Sequence, residues 1–270
     1  MNIFRIHGKR GKGYFSRGVA AVVAVVMLSV GIGAFAMGGI ESLAASASSN
    51  SLAYKRMDVK NFDRIEISDL LSVEYRQGKF PGYVELETLP GYIDNFEVKV
   101  IDGTLKLGCH VNNGPRELKF IVKVTAPQLK EVRLDGGVTS FKVEGPLSFG
   151  DEFLLRADGV NSVSFGEVTG KKLTINTEGV TTIYMLAAEL QELNILAAGV
   201  SDMRLKGLNV DNIDAKAESV SSIVLGGRCR SITKEADIPS KIDTKGLIVE
   251  KSSPKADTAT PSGQTMPRIP

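Results

Sequence analysis

The fold class that this sequence predicts is all-β: a single-stranded parallel β-helix with coils of about 20 residues. Three observations predict it. One short phrase recurs five times between Val132 and Ile232: Gly137-Val138-Thr139-Ser140, Gly159-Val160-Asn161-Ser162, Gly179-Val180-Thr181-Thr182, Gly199-Val200-Ser201-Asp202 and Ser219-Val220-Ser221-Ser222. Its valines are spaced 22, 20, 20 and 20 residues apart, and a fixed period near 20 marks a solenoid whose repeat is one coil. Aligned on the valine, whole columns are apolar. Three positions later stand Phe141, Val163, Ile183, Met203 and Ile223, and five later Val143, Phe165, Met185, Leu205 and Leu225. Before the valine, Phe153, Leu173, Leu193 and Ile213 form one column, and Leu155, Ile175, Ile195 and Ala215 the next. Columns two residues apart are what strands with one buried face require. Finally, 28 glycines and no tryptophan suit tight corners between short strands.

Taken in order, residues 1–18 carry Arg5, Lys9, Arg10, Lys12 and Arg17 and no acid, and Val19 to Met37 is an uncharged apolar run. A basic stretch followed by an apolar one is the pattern of an export signal. Nineteen helical residues would also reach about 28 Å, close to the hydrocarbon thickness of a bilayer. Residues 1–47 are therefore read as a signal peptide cleaved after Ala45-Ser46-Ala47, or as a signal anchor whose N-terminal helix stays in the membrane. Either places the rest of the chain across the inner membrane: in the periplasm, on the cell surface or secreted. Residues 48–56 read as a flexible leader.

A head domain then spans 57–250. Its N-terminal strands (57–127) begin with the alternating runs Phe62–Ser68, Leu71–Gly78 and Tyr83–Thr88. Next, Phe96–Val100 and Thr104–Leu107 flank Asp102-Gly103, a strong hairpin signal. Regular coils follow over 128–232, the first carrying an extra residue in Asp135-Gly136-Gly137 that reads as a bulge. Each coil is expected to hold two strands, a corner at the Gly-Val and a return segment, with the valine in the core, the glycine at the turn and the hydroxyls outside. Residues 233–250 read as the C-terminal end, with closure of the stack beginning at Ser219, the one corner without glycine. The proline-rich tail, residues 251–270, reads as disordered.

The bulk numbers exclude several functions. Lysine plus arginine (33) nearly balances aspartate plus glutamate (31), so no nucleic-acid footprint is implied. Outside the export segment His110 is the one histidine, which argues against histidine-based triads and metal sites; its neighbour Cys109 reads with it as a surface pair. Cys109 and Cys229, the two cysteines, are too few for a disulfide framework; their pairing stays open. The acids Asp158, Glu178 and Glu218 share the position two before the valine, with Asp135 near it. Ala198 interrupts the column and the calcium-binding glycine-aspartate repeat is missing, so they read as solvated carboxylates. Lys142, Arg156, Arg204 and Lys216 are scattered over different columns, and no nucleophile elbow or phosphate loop occurs. No catalytic, cofactor or metal residue is assigned. Asp257-Thr258-Ala259 matches a short O-glycosylation acceptor.

What remains for a partner is the polar pair after each valine. Thr139, Ser140, Asn161, Ser162, Thr181, Thr182, Ser201, Asp202, Ser221 and Ser222 are expected to form an exposed ridge that could dock on a polysaccharide or flat surface. The competing reading is a solvated corner built of turn formers.

The run FDRIEISDLLSVEYRQG, the later VIDGTLKLG, the VTAPQLKEV ahead of the repeats and the Gly-Val-x-Ser coils together resemble the putative auto-transporter adhesin, head GIN domain family. The resemblance covers roughly residues 57–232. It implies a bacterial exported β-helical domain, common in Bacteroidetes, and supplies no catalytic residues. The chain departs from many relatives in having no lipobox cysteine. The expected function is a non-enzymatic envelope protein presenting a β-helical face to a glycan or an envelope or host-surface component. Membrane contact is expected only through residues 19–37. Alternatives are a self-assembling structural β-solenoid, in which open ends pair with another copy, and a polysaccharide-processing enzyme.

Overall fold

The computed structural model describes residues 52–250 except 80, 112, 113 and 117. The export segment, including the helix expected over 19–37, and the tail with its Asp257-Thr258-Ala259 lie outside the described residues. Among those described, no helix is long and apolar enough to cross a membrane.

Fourteen strands make one sheet. They are β1 (Ala53–Asp58), β2 (Arg64–Ser68), β3 (Ser72–Gln77), β4 (Tyr83–Thr88), β5 (Phe96–Ile101), β6 (Thr104–Cys109), β7 (Ile121–Ala126), β8 (Glu131–Glu144), β9 (Leu147–Ser148), β10 (Glu152–Thr177), β11 (Val180–Ala197), β12 (Val200–Ala217), β13 (Ser222–Ala236) and β14 (Lys241–Val249). From β8 onward the chain winds in parallel coils, each pairing with the next. Numbered by position, coil 1 is 131–151, coil 2 is 152–171, coil 3 is 172–191, coil 4 is 192–211, coil 5 is 212–230 and coil 6 is 231–249.

The register carries each sequence column straight through the stack: Val163 pairs with Phe141 and Ile183, Ile183 with Met203, and Met203 with Ile223. All five are at most 1% exposed. Fully burying one such side chain stabilises by about 1.5–3 kcal/mol, and repetition turns the apolar columns into a continuous core. The return segment is itself a third ladder, Glu167 to Gly170 pairing with Ala187 to Leu190, with Val168, Ala188 and Leu208 facing inward.

The corner between the first two segments explains the recurring glycine. Gly159, Gly179 and Gly199 have φ of 96°, 80° and 78°, in the left-handed region that side chains disfavour. They also stack. A Cβ on Gly179 would lie 2.4 Å from the Gly159 carbonyl oxygen, and one on Gly199 would lie 2.3 Å from that of Gly179. Ser219 keeps the same corner with φ 63°, and coil 6 follows it. Strand pairing lapses beside it, β13 starting at Ser222 rather than at the valine, but the Val220 N–H still donates to Gly199 O at 2.9 Å and the ladder resumes, so the stack does not begin to close there.

The N-terminal part departs from a single-stranded parallel helix. β2 and β3 form a coil against β8, and β6 and β7 form a further coil on the far side of β2 and β3. Sequence order and stacking order thus disagree. Three antiparallel strands then finish this end: β5 on β6 through the Asp102-Gly103 turn, β4 on β7, and β1 on β4. Strand β1 begins inside the stretch read as a flexible leader. Its composition hides it, because backbone pairing to β4 holds it and its side chains add surface contacts. Tyr54 Oη donates to Glu85 at 2.7 Å, and the Arg56 guanidinium lies 3.8 Å over the Tyr83 ring. At the core of this region Tyr75, fully buried, donates to the Ala126 carbonyl at 3.0 Å; burial pushes its phenol pKa up.

Candidate binding face

The second segment of each coil builds a flat sheet face, and the structure splits the ten ridge residues between its two sides. Ser140, Ser162, Thr182, Asp202 and Ser222 are in register across five strands and point outward. Thr139, Asn161, Thr181, Ser201 and Ser221 point inward and are 1–4% exposed. The reason is the pleat: position one after the valine lies on the same side as positions three and five, which are core. By the same alternation the valine faces out. Val200 and Val220 are 52% and 57% exposed, so the expectation of a core valine is corrected.

The inward polar residues have a structural task. Four of the five bond the corner carbonyl three residues back. Asn161 Nδ2 donates to Asp158 O at 2.9 Å, Ser201 Oγ to Ala198 O at 3.0 Å and Ser221 Oγ to Glu218 O at 2.8 Å; Thr181 Oγ1 reaches Glu178 O at 3.5 Å. Thr139 reaches across to Asp69 O at 3.0 Å, where Asp69, φ 72°, makes the matching corner between β2 and β3. Side chain to backbone bonds of this kind satisfy polar groups that a tight turn would otherwise bury unpaired.

Outward, three columns define the face. Valines 180, 200 and 220 form the first, the hydroxyls with Asp202 the second, and Lys142, Ser164, Tyr184, Arg204 and Val224 the third. Columns repeat at the inter-strand spacing of about 4.8 Å. Tyr184, Leu186 and Val224 are 37%, 52% and 38% exposed, and with the valines they gather apolar surface over coils 3–5. Lys206 Nζ sits 5.6 Å over the Tyr184 ring, and Arg204 pairs with Asp202 at 3.1 Å. These apolar side chains were not picked out from the sequence, although the even positions after the valine would have shown them once the valine was placed outside.

The remaining candidates resolve quietly. Lys142, Arg156, Arg204 and Lys216 each pair with an acid, Glu144, Glu131, Asp202 and Glu218 respectively. Among the described residues no group of three or more His, Cys, Asp or Glu is placed to hold a metal ion. His110 Nε2 lies 3.1 Å from Glu97 Oε2 at the surface; contacts from Lys99 first and His110 second hold the Glu97 carboxyl below its ordinary range. Cys109 is not its surface partner but faces the core. Cys109 and Cys229 are free, buried thiols, and burial pushes both pKa values up. They sit in β6 and coil 5, roughly six ladder steps of about 4.8 Å apart, well beyond the reach of a disulfide.

A family model described as "Putative auto-transporter adhesin, head GIN domain" matches residues 61–260. Among solved structures, a "putative adhesin" from Bacteroides fragilis superposes with TM-score 0.59 at 20% identity, covering 74% of this chain and 96% of that one. A "putative lipid binding protein" from Parabacteroides distasonis gives TM-score 0.53 at 16% identity, covering 76% and 96%. At these identities the likenesses show a shared fold. No curated protein matches the chain.

Proposed function

The chain belongs to the auto-transporter adhesin, head GIN domain family, and from that premise we propose that it is a non-enzymatic, exported binding module of the bacterial envelope. Its flat second-segment face makes the contact. One observation carries this reading: Val200, Val220, Tyr184, Leu186 and Val224 stand exposed beside a column of hydroxyls on one sheet face. A soluble sheet normally turns charged side chains outward, and a clustered apolar face marks an interaction surface. The partner is an envelope or host-surface component, contacted through many weak contacts repeated at coil spacing. The basic n-region and apolar run of residues 1–37 support export.

The test is adhesion of the mature chain to a glycan array and to lipid vesicles, the latter because one structure of this fold carries the name "putative lipid binding protein". The double substitution Val200→Glu/Val220→Glu changes only outward positions. It should abolish adhesion while leaving the unfolding free energy within about 0.5 kcal/mol. Unaltered adhesion would remove the face from the reading, and cleavage of any arrayed oligosaccharide would overturn the non-enzymatic assignment.

A second reading has its own observation. Edge strand β14 carries Ile248 and Val249 at 71% and 43% exposure, a strand end open to pairing with another copy. Light scattering separates the two: a monomer at high protein concentration counts against self-assembly, and concentration-dependent growth counts for it.

A further inference from the structure

The side of the solenoid formed by the third segments, away from the flat face, carries a groove. One stretch, of about 620 Å³, runs past Gln77, Lys130 and Asp151. The next, of about 520 Å³, runs past Lys171, Gln191 and Asp211. Phe149 and Gly150 line both, so the two stretches meet there. From Gln77 in β3 to Asp211 at the end of coil 4 the groove crosses four ladder steps of about 4.8 Å, roughly 19 Å.

Its chemistry is specific. Phe149 is half-buried, tilted against Phe153 with ring centroids 5.6 Å apart, and its ring occupies the space over Gly170, where a Cβ would lie 2.2 Å from it. The ring is thus held in place at the midpoint of the groove. Most of the ionic groups along the walls are paired, with Glu189 the exception. Lys130 pairs with Asp63 at 2.6 Å, Lys171 with Asp151 at 2.5 Å and Arg230 with Asp211 at 3.1 Å. The Lys171 contact also holds the Asp151 carboxyl below its ordinary range. Neutral hydrogen-bonding groups, Gln128, Thr169, Gln191 and Asn209, alternate with these pairs.

An aromatic ring set among hydrogen-bonding groups, in a long open groove without an excess of positive charge, suits a polyhydroxylated chain. The C–H groups on one face of a sugar pack on the ring, and its hydroxyls bond the amides and the charged groups along the walls. The coil repeat is close to the length of one pyranose unit in an extended chain. We propose that this groove binds a neutral, extended oligosaccharide, with Phe149 as the stacking platform. The site is separate from the flat face and does not depend on it.

Isothermal titration of the mature chain against neutral linear oligomers of glucose, mannose, galactose and N-acetylglucosamine tests the proposal. At least one oligomer of about four units should bind, with affinity little changed by added salt. Phe149→Ala should weaken binding about tenfold and Phe149→Tyr should restore it. Because Phe149→Ala also loosens the packing on Phe153, a second variant is needed. A Cβ at Gly150 meets nothing within 4 Å, so Gly150→Leu fills the groove without disturbing the fold and should abolish binding. Val200→Glu/Val220→Glu should leave it unchanged, which separates failure of the groove from failure of the flat face. Absence of binding across all four series at millimolar concentration overturns the proposal, as does full binding by folded Gly150→Leu. Preference for anionic oligosaccharides, or loss of binding in the Val200/Val220 variant alone, does so too.

Discussion

The regular coils and the N-terminal strands use the same parts under opposite rules. In coils 1–6 every segment pairs with the segment about 20 residues away, in parallel, and the stack grows in sequence order. Before residue 127 the stack runs out of order: β7 lies next to β3, and the coil made by β6 and β7 sits on the far side of β2 and β3 from β8. The antiparallel strands β1, β4 and β5 then occupy the end. A solenoid built of identical coils would leave an open edge at both ends, and open parallel edges invite pairing with other chains. The difference shows how the molecule treats its two ends. At the N-terminal end the edges belong to antiparallel strands of high charge, with Lys55, Arg56, Glu97 and Lys99 among them. At the C-terminal end the last coil finishes in β14.

The sharpest way to break the regular half is through its stacked corners. Gly199→Ala places a Cβ 2.3 Å from Gly179 O and 2.7 Å from Gly179 N, at φ 78°. The left-handed conformation costs an alanine about 1–2 kcal/mol, and forcing the overpacked coils apart adds about 1–3 kcal/mol more. The matched change in the irregular half is Gly91→Ala, where φ is 88° but nothing lies within 4 Å; only the conformational cost of about 1–2 kcal/mol should remain. Urea unfolding of the two variants reads the difference directly. Equal midpoints would mean that close backbone stacking is not what selects glycine at the corners.

A smaller effect sharpens the inward and outward assignment. Ser201 Oγ donates to Ala198 O and lies 2.9 Å from Thr177 Oγ1, so Ser201→Ala leaves buried polar groups without a partner and should cost about 1–2 kcal/mol. Thr182→Ala, one pleat position further along the neighbouring coil and facing water, should stay within about 0.5 kcal/mol. If the outward substitution proved the costlier, the register of the second segment would have to be reversed.

That register is also where sequence reasoning succeeded and failed. The period, the apolar columns and the Asp102-Gly103 hairpin were legible because each is a local pattern repeated or flanked by turn chemistry. The direction of the valine was legible in principle: Phe141 and Val143 are inward, so Thr139 must be inward with them, and hydroxyls at a turn read as exposed only if the pleat is ignored. The position of β6 and β7 was not legible, since pairings such as Ile65 with Leu105 and Ile65 with Val132 join segments whose spacing shares no period. Strand β1 was hidden for a related reason. An edge strand needs backbone partners rather than an apolar face, and AYKRMD offers little alternation to read. The groove was hidden because Phe149 occurs in one coil only; its sole sequence trace is the glycine at 170 that makes room for it.

The smallest predicted effect concerns the join between the two halves. Asp135 pairs with Ser68 of β2 on one side and Asp158 of coil 2 on the other. Its carboxyl is held above its ordinary value of 3.8, first by burial and then by the charges of Glu66 and Asp158, with Arg133 and Lys106 acting against them. A raised pKa in the folded state means that the fold prefers the protonated form. The associated stability is present below the unfolded pKa and is lost as pH rises through the folded one. At neutral pH the ionised carboxylate therefore weakens the join, and Asp135→Asn should remove that cost. With its side chain 48% exposed, solvent screening holds the gain to a few tenths of a kcal/mol, about the scale of a surface ion pair. The variant should be more stable than the natural chain at pH 7 and indistinguishable from it near pH 3. A gain of the same size at both values would trace the effect to packing rather than to charge, and the column of acids would then carry no electrostatic tension between the regular coils and the end they grow from.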